Sequence, residues 1–238
     1  MARAASRETF RAEWRAQGSP KKCLACHAPG GGEGVACIDC HGDGGHPYPA
    51  VAVPRRCARC HDAPGENTVR TFRQSPANRR GRDCVSCHAD VGGERFSHRF
   101  NGPSDPAFLR GVAQIRAALR RAGSGWQAVV RIRHRAGHAL PGGTTGRAVW
   151  LSAQGVDTED RVIWREAWRF GWEHDGWGGW RDRTLPPGEA TLVAMSDVAR
   201  SGTARIRFRL VYHPSAGATT PDAEDAVELD SLTVTLAR

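Results

Sequence analysis

At 238 residues the chain is sized for one or two domains, and its net charge of +9 first suggests a nucleic-acid partner. No apolar run is long enough to span a membrane as a helix, and residues 1–6, Met-Ala-Arg-Ala-Ala-Ser, lack the apolar centre of a secretory signal. All eight cysteines fall before residue 90, so the chain divides into a cysteine-bearing part, residues 1–104, and a remainder with none.

The first element is a short amphipathic helix over residues 6–17. Phe10 and Trp14 stand four apart, with Arg7, Arg11 and Arg15 on another face, and Gly18-Ser19-Pro20 ends it. Four copies of one pentapeptide follow. They are Cys23-Leu24-Ala25-Cys26-His27, Cys37-Ile38-Asp39-Cys40-His41, Cys57-Ala58-Arg59-Cys60-His61 and Cys84-Val85-Ser86-Cys87-His88. Chance would give about 0.01 such matches from this composition.

Cys-x-x-Cys-His is the attachment pattern of c-type haem. The two thiols add to the haem vinyl groups, and the histidine turns to the iron as proximal ligand. Zinc is the main rival, since four Cys-x-x-Cys pairs could build two four-cysteine sites. Zinc, however, has no use for a histidine after every second cysteine, and one follows all four. Thioredoxin-like or disulfide chemistry fits less well for the same reason. At roughly 25 residues per haem, this part has too little chain to build an apolar core. Porphyrin is therefore expected to be its core, and the haem-free form is expected to be largely unfolded. The propionate pair of each haem would offset most of the +9 charge, which removes the case for nucleic acid and leaves an acidic redox partner weakly indicated.

Between the motifs, Pro29-Gly30-Gly31-Gly32-Glu33-Gly34 and Gly42-Asp43-Gly44-Gly45-His46-Pro47 read as loops that let backbone pass close to flat ligands. The stretch over 68–88 again runs helix, break, motif, a weak repeat of the start of the chain. Ser104-Asp105-Pro106 is a helix start, and Phe108, Leu109, Val112, Ile115 and Leu119 follow at helical spacing, which predicts a connecting helix over 105–124.

From residue 125 to 238 the pattern has period two. Val130 and Ile132 alternate with Arg131 and Arg133, and Ile206, Phe208, Leu210 and Tyr212 alternate with Arg205, Arg207 and Arg209. Further strands are expected near 147–154, 161–170, 190–196 and 227–236, which together predict an antiparallel β-sandwich. The fold class is therefore α+β: a haem-wrapped helical and loop part, then a β-sandwich. Trp126, Trp150, Trp164, Trp168, Trp172, Trp177 and Trp180 lie in this half and are expected mainly in its core. The Gly-rich run from Trp172 to Trp180 reads as a surface loop able to contact a partner.

Each iron needs a second axial ligand or stays open. With Met1 and Met195 the only methionines, methionine ligation and the higher potential it gives are nearly excluded. Six histidines lie outside the motifs. His46, His98 and His138 are the favoured distal ligands by placement. His134 shares the inward parity of Val130 and Ile132, so it is a core residue or the fourth ligand. His174 and His213 are expected at the surface. No acid–base pair or nucleophilic triad stands out.

These features resemble the cytochrome c-554-type multihaem cytochromes. The resemblance is carried by the four motifs, Cys40-His41-Gly42 followed by His46, His98, Gly137-His138-Ala139-Leu140-Pro141-Gly142, and Asp182-Arg183-Thr184-Leu185-Pro186-Pro187-Gly188-Glu189. It implies packed haem pairs carrying electrons, with His46, His98 and His138 as distal ligands. One departure stands out: where such proteins often carry Ser-x-His-Ala, this chain has Ser75-Pro76-Ala77-Asn78, so Ala77 replaces a distal histidine. One iron would then take His134, take a histidine from a neighbouring subunit, or stay five-coordinate.

The expected role is single-electron transfer between redox proteins. A subunit of an extracellular cytochrome filament and a reductase of a small nitrogen oxide at an open iron are the alternatives. Because c-type haem is attached outside the cytoplasmic membrane, the expected location is periplasmic or extracellular, and the sequence reads as a mature form or one with a misplaced start.

Overall fold

The computed structural model describes residues 5–16, 18–45, 47, 51, 53–63, 66–89, 98–103, 105–123, 125–143, 145–174, 179–214 and 219–236. The chain forms two compact units. One comprises Met1–Pro64 and Arg82–Phe100, the other Gly65–Gly81 and Asn101–Arg238.

The first unit is made of short helices. They are α1 (Glu8–Ala16), α2 (Lys21–His27), α3 (Cys37–His41) and α4 (Arg55–His61). The helix Cys84–His88, α7 in chain order, belongs here too, because α5 (Thr68–Gln74) and α6 (Pro76–Arg79) fall in the other unit. In α1, Phe10 stacks on Trp14 with centroids 6.3 Å apart. The Trp14 indole donates to the Pro20 carbonyl at 3.1 Å, closing the turn into α2. Helix α7 starts with a reciprocal cap: Asp83 accepts from the Ser86 backbone N–H at 2.6 Å, and the Ser86 hydroxyl accepts from that of Asp83 at 3.0 Å.

What this unit lacks is an apolar interior. Among its described residues the buried hydrophobic ones are Ala28 and Ala89 alone. Two alanines remove too little apolar surface from water to hold some eighty residues of chain in place.

The second unit is built on two antiparallel sheets. Its strands are β1 (Ala113–Ala122), β2 (Gly125–His134), β3 (Ala148–Val156), β4 (Val162–His174), β5 (Trp180–Asp182), β6 (Ala190–Met195), β7 (Arg205–His213) and β8 (Val227–Thr235). Their orders are β1-β2-β6 and β5-β4-β3-β7-β8. Both sheets feed one apolar cluster. Ile115, Val130, Ile132 and Val193 come from the first, and Leu151, Trp164, Phe208 and Leu210 from the second. The period-two stretches therefore give the two-sheet packing that alternation predicts.

The connecting helix expected over 105–124 is not formed. Pro106–Leu109, α8, is a single turn capped by Asp105, whose carboxylate accepts from the Ala107 and Phe108 N–H groups. Gly111 then takes φ +67°, and residues 113–122 form β1. The stretch carries two periods at once: Val112, Ile115 and Leu119 fit a helix, while Ala113, Ile115, Ala117 and Leu119 fit a strand. Pairing with β2, from Ala113 opposite His134 to Ala122 opposite Gly125, decides for the strand. The run from Trp172 to Trp180 is likewise not simply a loop. Trp172 and His174 end β4, and Trp180 pairs with His174 across to β5, half exposed; residues 175–178 lie outside the described residues.

Candidate metal centre

All four pentapeptides sit on helical turns. Each occupies the end of its helix or all of it, with the histidine as last helical residue. Four or five residues of α-helix bring the first and fourth positions onto one side. This places Cys23 with Cys26, Cys37 with Cys40, Cys57 with Cys60 and Cys84 with Cys87. All eight thiols are free of disulfides and none is fully buried. Among the described residues no group of three or more histidines, cysteines or carboxylates is gathered as a metal site.

The motifs lie close to one another. Cys57 and Cys84, which open the third and fourth, share a hydrogen bond. It holds the Cys57 thiol protonated and lowers the Cys84 thiol to about 7. Burial raises the Cys40 thiol, and the Asp39 carboxylate adds to that rise. Phe10 stacks on His27 with centroids 4.3 Å apart and planes within 23°, so α1 packs directly on the first motif histidine.

His98 is exposed, and its ring centroid lies 6.0 Å from that of His41 at a tilt of 57°. His46 lies outside the described residues. His138 stands in the turn after β2. Its Nδ1 donates to the Ala139 carbonyl at 2.8 Å, which puts the lone pair of the neutral ring on Nε2.

Two residues that sequence reasoning passed over, Thr68 and Thr71, hold that turn together with Gly142. The Thr71 hydroxyl accepts from the Ala139 N–H at 3.0 Å, and the Thr68 hydroxyl accepts from the Gly143 N–H at 2.9 Å. A Cβ at Gly142 would lie 2.6 Å from His138 Cε1, so only glycine lets the ring sit there. The signal for the threonines was present in the i, i+3 spacing of Thr68 and Thr71 on α5.

The 182–188 loop packs around the same place. Leu140 and Leu185 exchange both backbone hydrogen bonds, at 2.9 and 2.8 Å. The Asn67 amide donates to the Asp182 carboxylate. Gly188 takes φ +81° with Pro76 against its Cα, and a Cβ at Gly137 would meet Ala77 at 3.2 Å. The two loops that carry the sequence resemblance thus grip α5 and α6.

His134 points inward, as its parity predicts. Its Nε2 faces the carbonyls of Leu185 at 3.1 Å and Pro186 at 2.9 Å, and so carries the ring proton. Nδ1 is buried with no hydrogen-bond partner. Burial lowers its pKa, against a smaller opposing effect of the two carbonyls.

His213, expected at the surface, is wholly buried. It ends β7 opposite Ala148 of β3, one residue beyond the last pair with β8, and Asp225 lies 3.5 Å from its Nδ1 outside hydrogen-bond geometry. His174 is exposed as expected and sits edge-on to Trp180.

No family model matches the chain, and no curated protein matches it. Among solved structures it is similar to a penta-haem cytochrome c552 from Thermochromatium tepidum, with 21% identity and a TM-score of 0.62. The match covers 76% of this chain and 55% of that one, so the chain spans little more than half the length of that protein. At this identity the likeness is one of fold.

Proposed function

We propose that the chain is a multihaem c-type cytochrome that passes single electrons between redox proteins through four covalently held haems. The observation that carries this reading is the joint presence, in one unit, of four helical Cys-x-x-Cys-His turns and, among its described residues, a buried apolar inventory of only Ala28 and Ala89. A unit so poor in core needs another source of burial, and porphyrins supply it. The likeness in fold to a penta-haem cytochrome c552 agrees with this, while the motifs here number four.

Bound haem supplies a one-electron iron couple; the chain fixes, ligates and shields it. Cys23, Cys26, Cys37, Cys40, Cys57, Cys60, Cys84 and Cys87 form the thioethers, and His27, His41, His61 and His88 are the proximal ligands. His98 serves the haem of the second motif. His41 and His98, whose ring centroids stand 6.0 Å apart, would hold that iron between them. His138 offers Nε2 with its tautomer already set by Ala139. His46 is assigned by the resemblance alone. His134 can serve an iron only through Nδ1, since Nε2 is held by two carbonyls.

Haem attachment of this kind places the protein in the periplasm or outside the cell. Among the described residues no helix is long and apolar enough to cross a membrane.

Purified protein from a host with a working haem-attachment system should carry four haems by intact mass and titrate over several low-potential one-electron steps. Colourless protein with bare thiols would overturn the proposal.

A second reading has its own support. Ala77 stands where the resemblance puts a ligand histidine, which favours one iron open to a small ligand such as a nitrogen oxide. Four low-spin irons that bind neither carbon monoxide nor nitric oxide would remove it. A sixth ligand that is lost on dilution would instead mark a histidine supplied by a neighbouring copy, as in a filament.

A further inference from the structure

We propose that Thr68 and Thr71 are positioning residues that fix the His138 imidazole toward its iron, and that the segment joining the third and fourth motifs exists as a clamp on that histidine. This rests on the reading of His138 as an axial ligand.

The segment is split from its sequence neighbours in a telling way. Residues 65–81 lie between two motifs of the first unit, yet they pack within the second. Val69 and Phe72 of α5 are buried there, with Phe72 carbons 3.5 and 3.6 Å from where a Cβ on Gly137 would stand. A helix used as a spacer would need no buried face. This one buries its apolar side beside Gly137 and turns its two hydroxyls onto the backbone at 139 and 143.

The hydroxyl of Thr71 is engaged both as donor and as acceptor. It donates to the Asn67 carbonyl at 2.9 Å and accepts from Ala139 N–H at 3.0 Å. Thr68 accepts at the far end of the same turn, from Gly143 at 2.9 Å. Ala139 is also the residue whose carbonyl takes the His138 Nδ1 proton. One residue therefore links Thr71 to the ring: the Ala139 N–H is held by Thr71 and its carbonyl holds the imidazole, so the ring's orientation depends on where Ala139 is held. The His138 turn is pinned at both ends by hydroxyls, and Gly142 leaves the ring space between them. Such outer hydrogen bonds orient a ligating imidazole and tune its basicity.

The test uses the four-haem protein and reads each iron by low-temperature electron paramagnetic resonance, with haem-by-haem redox titration. His138→Ala first identifies the signal of the haem it serves. Thr71→Val, which keeps the shape but loses the acceptor, should shift that same signal and leave the other three in place. Thr71→Ser should restore the native signal. Should Thr71→Val fail to accumulate, Thr68→Val carries the same test from the other end of the turn.

The proposal is overturned if both valine variants lower thermal stability while every haem signal stays native, or if serine fails to rescue. If His138→Ala itself leaves all four signals unchanged, the ligand assignment has failed, and that outcome is distinct from failure of the clamp.

Discussion

The ring of His98 lies with its centroid 6.0 Å from that of His41, although His41 precedes the third motif and His98 follows the fourth. His41 ends α3 and His98 follows α7, so the pairing is long-range and was not implied by any local pattern. Replacing His98 with methionine should therefore change a single haem. Methionine in place of an axial imidazole raises the potential, here by on the order of 0.1 V within the ~0.8 V that axial ligands span. Redox titration followed by optical spectroscopy would show one step moved upward and three unmoved. Movement of a step assigned to another motif, or of none, would refute the pairing.

Because the described residues of the first unit bury almost no apolar side chains, its fold should depend on the haems. Chain made without haem attachment, or with the eight cysteines changed to serine, should lose most helical ellipticity and keep the strand signal. The cluster that holds the sheets, from Ile115 to Leu229, lies wholly in the second unit and owes nothing to the motifs. Hydrogen exchange should show fast amides over 21–61 and 84–88 and protected ones in β3 and β7. Protected amides in α2 or α4 of haem-free protein would contradict this.

Gly142 tests the histidine turn from a third side. An alanine there would put its Cβ 2.6 Å from Cε1 and 2.7 Å from Nδ1 of His138, closer than such atoms approach. Gly142→Ala should displace the ring and disturb the signal of the haem that His138 serves. Overpacking of this kind costs about 1–3 kcal/mol, which chemical denaturation would read as a lowered midpoint. Native spectra together with native stability would show that the turn has more room than the geometry allows.

The motifs and most strands were legible because each is written locally. Four pentapeptides name their chemistry by residue type and spacing, and Arg205 to Tyr212 states its two faces by simple alternation. What could not be read was set by distance in sequence. Residues 113–122 fit two periods, and only β2 across the hairpin chooses between them. His213 was expected at the surface, and it is wholly buried at the end of β7, opposite Ala148 of β3. Residues 68–88 read as a weak repeat of the chain's start, since both run from helix to motif. Their settings differ, however: Phe10 of α1 stacks on a motif histidine, while Phe72 of α5 packs beside Gly137 in the sheet unit.

Tyr212 offers a test of the second unit by pH. It is almost wholly buried on β7, and that burial raises its phenol above the ordinary value near 10, against a smaller lowering by the Arg147 guanidinium and its hydrogen bond. The folded state therefore keeps the proton at pH values where the unfolded chain has released it. Stability from this group is fully present below about pH 10 and is lost as pH rises from there through the folded value. Arg147 also donates to the Gly142 carbonyl at 3.0 Å, so the group sits one contact from the His138 turn. Tyr212→Phe keeps the ring in the core and removes the titration. Its denaturation midpoint should fall less steeply than that of the native protein above pH 10, with parallel curves below. Equal slopes in both proteins above pH 10 would show that the phenol does not govern the alkaline limit of the sheet unit.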